Sequence, residues 1–504
     1  MNLWPLRRRF WNALAIMKFR ANRPAVIPVP GPDGRCLEAV SVVRQFPGIP
    51  LFNVRVADAV PPDEAHPLNQ WFYKFQVAMY RLFSPMQAGL PPIDADPQTA
   101  LAAAYTPAHR RVFPMPVLPP EYSGRLDLGL LAVAGPYACY LERAPDGGYQ
   151  WDLRALAGYE HHAGLHSLGV RVRFRANRSA QRLEVVGIDS ELGTSAPGDP
   201  GWDLATRLAL AAVTTHVSLI RHFNGVHLAA GGSLAIATRN ALPADHPLRR
   251  LLWPHMFGTQ YSNQLVTRGQ MSAGGDFETI FSFTHRGMCR LFADTWDAYD
   301  ISVLHPARDA ERRGLVGAGF ETPALDNRRA HFDVMRAHAH RYLRLYYASD
   351  AALQEDARVV AWTQALDGLV PNGVSKILGP RLTLDGAADL IGSFIYMASV
   401  EHEILGTGLW NYQMWSHIQP VRVYRNGQRV PLDVYQRLVN ANFNLNVSRA
   451  PLVQDWSYLA LDERGAAAFR VFRDELRALQ ARLDTEPPAL WKMAPRILEA
   501  NINA

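Results

Sequence analysis

From Trp202 onward the apolar residues recur with a helical period, and the segments 202–230, 328–347, 351–368, 384–405 and 463–484 read as amphipathic or buried helices. The pattern before them is different. Between residues 127 and 190, apolar and polar positions alternate, as in Val170-Arg171-Val172-Arg173-Phe174 and Leu183-Glu184-Val185-Val186, which predicts short strands in one small antiparallel sheet. Residues 24–135 are punctuated by prolines (Pro24, Pro28, Pro30, Pro32, Pro61-Pro62, Pro91-Pro92, Pro119-Pro120), with short helical stretches such as the one at Trp71–Phe75. Proline removes a backbone donor and ends helices, so this part is expected to wrap irregularly over something else. The expectation is a mainly α fold with long core helices and a small β element. Residues 1–200 form a proline-rich wrapping segment and residues 201–504 a helical core. No polar linker separates the two, so they are expected to make one structural unit.

Composition narrows the function. The chain has 504 residues, 48% of them hydrophobic and 19% charged, which supplies a sizeable core and speaks against extensive disorder. No run approaches the ~18–20 consecutive apolar residues of a membrane span. The net charge of +6 comes from scattered arginines. A nucleic-acid binder gathers its cations on one face, so nucleic acid is not an expected partner; acidic small molecules or an anionic membrane surface suit the balance better. Cys36, Cys139 and Cys289 are far apart and show no metal spacing, which fits a reducing, cytoplasmic setting. In the first twenty residues the apolar stretch is interrupted by Asn12 and followed by Lys18 and Arg20 rather than by a cleavage site, so it reads as mature protein. Phe10, Leu14 and Met17 fall at helical spacing there, next to Arg7, Arg8, Arg9 and Lys18. A surface helix is expected, with peripheral membrane contact through residues 1–20 as the alternative.

The histidines carry the chemistry. His216, His222 and His227 lie on one apolar helix and His402 on another. Metal sites in helical proteins are built from side chains on facing helices. In a regular helix, positions i and i+4 share a face, whereas i and i+5 diverge by ~140°. A π-bulge absorbs one residue and restores a common face to an i,i+5 pair. His222 and His227 are the pair so favoured; His216, six residues from His222, needs more distortion. Neutral imidazoles with a carboxylate and open positions suit non-haem iron. Glu401 and Glu403 flank His402 and are candidates for that carboxylate or for partners of the ligands. No nucleophile elbow, phosphate loop or dinucleotide fingerprint competes.

With these residues in view, much of 183–504 resembles the lipoxygenases. Trp202-Asp203-Leu204-Ala205 is similar to the family's WxLAK helix start, and His222-Phe-Asn-Gly-Val-His227-Leu to its HLLxTH segment. Ile236-Ala237-Thr238, His246-Pro247 and Leu251-Leu252-Trp253-Pro254-His255 follow the IAT…HP…LLxPH string. Glu311-Arg312-Arg313-Gly314-Leu315 resembles the RGL element, and Tyr342–Asp350 with Gln354-Glu355-Asp356 and Ala361-Trp362 resembles YLxLYYxSDxxxQxDxxLQAW. The resemblance implies a helical catalytic domain of the compact bacterial type, without an N-terminal β-sandwich. It implies non-haem iron, with manganese as the occasional substitute, between two core helices. It also implies hydrogen abstraction from, and O2 insertion into, an unsaturated fatty acid or lipid-like substrate.

Carried over position by position, the resemblance implies a metal held by His222, His402, a third histidine that is His216 or His227, and the terminal carboxylate of Ala504. An ungapped count from Trp202 puts the family's first ligand position on Val217. Its weak-ligand position falls on Gly406, and the position that sets oxygen access falls on Gln264. Gly231-Gly232 marks where the helix would yield to a register shift. Alongside the fatty-acid dioxygenase stand two further readings: a metalloenzyme of this fold with an altered ligand set and different oxidative chemistry, and a metal-free lipid-binding relative.

Overall fold

The computed structural model describes residues 27–32, 34–42, 53–65, 116–122, 126–406, 411–432, 450–487 and 491–502, with single positions at 6, 9, 10, 13, 17, 434, 435, 437, 438, 441 and 489. Among these, helices dominate and two small sheets accompany them. The alternating stretch forms the strands expected of it. β1 (Ala39–Ser41) and β2 (Arg55–Ala57) make an antiparallel pair. β3 (Glu142–Arg143), β4 (Tyr149–Asp152), β5 (Arg171–Asn177), β6 (Arg182–Ser190) and β7 (Gly193–Ser195) make a five-stranded antiparallel meander. Val172 and Phe174 of β5, Trp151 of β4 and Ile188 of β6 are buried, while Arg171 and Arg173 stay at least partly exposed, as period-2 alternation requires. Helix α1 (Leu128–Ala134) lies so close to β6 that a Cβ on Gly129 would sit 2.2 Å from the Leu183 carbonyl oxygen. Only glycine fits there.

The long helix α2 runs in three stretches: α-helical over Trp202–His216, π-helical over Val217–Gly232 and α-helical over Ser233–Ala241. Apart from Arg221, every residue of the π stretch is buried. Helix α3 is Pro247–Met256, α4 is Thr259–Leu265 continued by a π turn over Val266–Gln270, and α5 is His285–Asp297. Helix α6 spans Pro323–Tyr346 and α7 spans Ala357–Leu369. Helix α8 is α-helical over Leu384–Tyr396, π-helical over Met397–Glu401 and α-helical again over His402–Leu405, and α9 spans Glu463–Asp484. Starts are set by caps: the Thr284, Thr383 and Asp462 side chains accept from the backbone N–H groups of Gly287, Gly386 and Gly465. Pro323 opens α6 at the position where its missing N–H costs nothing.

Helices α6, α8 and α9 pack together behind α2. Gly392 lets α8 approach α6, because a Cβ there would lie 2.9 Å from Arg336 Cα. The described pieces of the first two hundred residues are tied to the helices. Glu64 pairs with Arg239 of α2 at 2.7 Å, and its other oxygen accepts from the Gln260 backbone N–H of α4. Trp253 Nε1 donates to the Pro28 carbonyl. Leu6, Arg9, Phe10, Ala13 and Met17 are helical, with Leu6 and Met17 exposed. The rest of residues 1–20 and the Trp71–Phe75 stretch lie outside the described residues. Among the described residues no helix is long and apolar enough to cross a membrane.

Between α6 and α9, His338 stacks on Phe472 with ring centroids 4.1 Å apart, fully buried, and neither ring nitrogen has a hydrogen-bond partner. Burial first, and His255 and Arg341 next, hold its pKa well below the ordinary 6.5. The imidazole is therefore neutral when folded. Below pH 6.5 the unfolded chain takes up a proton that the folded chain refuses, so stability falls as pH falls. His338→Phe removes this penalty. Between pH 7.5 and 5 the variant should lose about 2 kcal/mol less stability than the parent in denaturant titrations; equal losses would refute the assignment.

Candidate metal centre

Because α2 is π-wound through Val217–Gly232, residues five apart come onto one face, and His222 and His227 both point toward α8. His227 Nε2 lies 3.3 Å from His222 Nε2 and 3.2 Å from His402 Nε2. Candidate ligand atoms of all three residues lie within 4.8 Å of one another. All three side chains are buried.

Three imidazole nitrogens facing each other are a poor hydrogen-bonding arrangement, since one proton serves at most one pair. They are a good donor set. Nitrogen–metal bonds of about 2.1 Å put neighbouring nitrogens about 3.0–3.4 Å apart, and the spacings of 3.2 and 3.3 Å fall within that window. Burial, and then the neighbouring imidazoles, hold His222 and His227 well below 6.5, so both rings are neutral at pH 7 and offer lone pairs.

The surroundings orient the rings. Glu403 Oε1 is 3.2 Å from His402 Nδ1. An ionised Glu403 accepts but does not donate, which places the proton on Nδ1 and leaves Nε2 unprotonated toward the cluster whenever that carboxyl is charged. Glu401, the other flanking acid, turns away from the cluster. It pairs with Arg328 of α6 at 3.2 Å and accepts from Tyr396 Oη at 2.9 Å, which fixes the π turn just before His402. Helix α4 braces the other side: Asn263 Nδ2 donates to the His227 carbonyl at 2.7 Å, and Gln260 Nε2 to the Gly232 carbonyl at 3.1 Å.

The remaining sequence-predicted residues fall in different places. His216 is not brought to the cluster. Its Nδ1 is engaged by Tyr140 Oη at 2.8 Å and its ring packs edge-on to Tyr140, because it sits before the π winding begins. Val217 is buried in the core, so the register that gave it a ligand position is replaced by one in which His222 and His227 fill adjacent positions. Gly406 does face the cluster: a Cβ there would lie 3.0 Å from His222 Cε1 and 3.1 Å from its Nε2, so the missing side chain lets the end of α8 come close to that ring. Gln264 is half-buried on α4 and does not border the cavity at His222; Gln270, from the π turn that follows, does. Ala504 lies outside the described residues.

The helix stays unbroken at Gly231-Gly232, and its winding changes from π to α between Gly232 and Ser233. Gly231 provides the gap into which the tail packs, since a Cβ there would be 2.1 Å from Ile502 Cδ1. The tail is pinned by further bonds: His255 Nδ1 lies 2.8 Å from the Ala500 carbonyl, and Asn501 Nδ2 donates to the Phe257 carbonyl. Sequence reasoning missed this contact. A small cavity of about 30 Å³ touches His222 and is lined by Phe223, Phe277, Ile280 and Phe281 with Ser218 and Gln413.

The fold and the cluster together define a mainly helical protein with a buried three-histidine centre between two π-distorted core helices. Comparison with known proteins shows what the chain is similar to. Residues 145–315 match the family model described as Lipoxygenase. A polyunsaturated fatty acid (12S)/(13S)-lipoxygenase, epidermal-type, of Mus musculus is 25% identical over 224 residues, 44% of this chain. Linoleate 9S-lipoxygenase 2 of Oryza sativa subsp. japonica is 31% identical over 210 residues, 38% of this chain. The aligned segments cover 33% and 24% of those two relatives. A calcium-dependent 11R-lipoxygenase structure superposes with a TM-score of 0.76 at 14% identity, over 98% of this chain and 80% of that one. An anaerobic structure of a lipoxygenase variant in complex with arachidonate gives 0.74 at 13% identity, over 98% and 81%. The fold is that of these lipoxygenase structures, and residues 145–315 carry the sequence pattern of the family model.

The Gly231–Ile502 contact is testable by a mutant cycle. Gly231→Val should destabilise the protein by about 1–3 kcal/mol through overpacking. Ile502→Ala in the same chain should recover part of that loss, because the two side chains compete for one space. Strict additivity in thermal or denaturant unfolding would show that they do not meet.

Proposed function

We propose that the chain is a non-haem iron dioxygenase that inserts O2 into an unsaturated fatty acid or a related lipid, with His222, His227 and His402 as the protein nitrogen ligands. The observation that carries the reading is the convergence of three imidazole nitrogens in a buried site, in a chain whose residues 145–315 match the lipoxygenase model. The reading draws its substrate class from the relatives, which are named for polyunsaturated fatty acids and linoleate. Iron bound there would supply the one-electron redox couple that hydrogen abstraction from a carbon between two double bonds needs; manganese is the alternative metal.

The chain's own residues do the rest. Glu403 keeps the His402 proton on Nδ1. Gly406 lets the end of α8 sit close against the His222 ring. Phe223, Phe277 and Phe281 exclude water from the approach to His222. A cavity of about 30 Å³ holds about one water. A fatty acyl chain therefore enters this side only when these rings rotate aside, and their mobility sets access.

Metal analysis by mass spectrometry tests the reading directly. The protein expressed with iron should carry about one iron per chain, retained in His216→Ala and lost in His222→Ala, His227→Ala and His402→Ala. Glu403→Gln should weaken metal affinity by about tenfold or more. Oxygen consumption should then require linoleate. Absence of stoichiometric metal sinks the enzyme reading; metal without linoleate-dependent oxygen uptake sinks the substrate. Phe277→Ala should lower KM for linoleate by relieving the constriction, and an unchanged KM would show that the substrate takes another route.

A further inference from the structure

On the opposite side of the π stretch from the histidines, a second cavity of about 230 Å³ runs inward from the surface near Ala298 and Arg312. Its walls are largely apolar, with Ile220, Val226, Val303, Leu304 and Leu405. Its floor is Gly225, where a Cβ would come 3.4 Å from Cε2 of Tyr299. Arg221, the one residue of the π stretch that is not fully buried, lines it.

The charges around this cavity are directly paired except at Arg221, which lies over the Tyr140 ring at 5.9 Å and meets Asp309 and Glu401 only at longer range. Glu401 is taken by Arg328 and Tyr396. Asp300 is taken by Lys376 at 2.7 Å, and Arg312 by Asp309 at 2.6 Å. Among the described residues Arg221 forms no ion pair; its one hydrogen bond is from Nη2 to the Cys139 carbonyl at 3.3 Å, and its Nε is buried without a partner. The Tyr299 hydroxyl, also lining the cavity, is likewise buried and unpartnered. A guanidinium has five donors in a planar fork suited to a carboxylate, and a buried donor left unmade is costly. Two unmet donors inside an otherwise apolar cavity call for an anion with an apolar body.

We infer that this cavity is a second ligand site, separate from the histidine centre, that takes the carboxylate of a short, apolar-tailed acid between Arg221 and Tyr299 while the tail lies along Ile220, Val303 and Leu405. A phosphate or sulfate would satisfy the donors but leave the walls uncovered, and a full-length fatty acyl chain exceeds the space. The ligand would rest on Gly225 and Val226, directly before His227. Its occupancy should therefore stabilise the π stretch whether or not the chain turns over a fatty acid.

Octanoate is the probe, with octan-1-ol as the uncharged match. Calorimetric titration and thermal unfolding of the whole chain should show octanoate binding and raising the melting temperature, with octan-1-ol weaker by about tenfold or more. Arg221→Met should weaken octanoate by a similar factor and bring it level with the alcohol. Val303→Trp, which fills the cavity and leaves Arg221 in place, should abolish binding of both, and it guards against Arg221→Met merely failing to fold. Octanoate bound equally by the parent and both variants, or no tighter than octan-1-ol, overturns the site. So does the absence of octanoate binding to the parent protein. None of these readouts depends on metal content or oxygen uptake.

Discussion

The centre depends on the winding of Val217–Gly232. π-Helical turns are rare and usually single, because wider winding opens the helix axis and loosens packing. Here the winding persists over sixteen residues, and the surroundings sustain it. Side chains from neighbouring elements take up backbone groups along it: Asn263 and Gln260 bind its carbonyls, while Asn224 from the stretch itself reaches out to the Phe292 carbonyl and Thr295. Without that support the helix would revert to 3.6 residues per turn, and His222 and His227 would point in different directions. A second π turn in α8, held by the Glu401–Arg328 pair, presents His402 to the same point.

The electrostatics follow from the same burial. Burial and the neighbouring imidazoles keep His222 and His227 neutral, which leaves their ring nitrogens able to act as donors to a cation. The two acids beside His402 divide the labour by direction alone. Glu403 addresses the ring of the histidine, and Glu401 addresses the backbone turn that carries it, by anchoring α8 to α6. Neighbours in sequence thus hold quite different positions relative to the histidine cluster.

Much of this was legible in the sequence because it rests on period. The alternation around Val172 and Phe174 foretold the sheet, and the apolar spacing foretold α6, α8 and α9. The five-residue gap between His222 and His227 even implied the π distortion, because no regular helix lets such a pair share a face. What stayed hidden depends on contacts between distant segments. No local pattern says that Gly231 makes room for Ile502, that Glu401 finds Arg328, or that Gln270 rather than Gln264 reaches the cavity at His222. Counting along an ungapped register also put a family position on Val217, which is buried away from the histidine cluster, since a change in winding shifts every later position without changing the sequence.

The seating of Ile502 against Gly231 bears on the order in which the molecule assembles. The two residues stand more than half the chain apart, so this contact carries a large loop-closure entropy. During synthesis the first histidine helix leaves the ribosome long before its tail does. The groove at Gly231 must stay unfilled through that interval, exposing apolar surface in a chain of the size that folds through intermediates. The winding of the π stretch is therefore expected to be completed late, when the last described residues dock and close the hydrophobic seam behind His227.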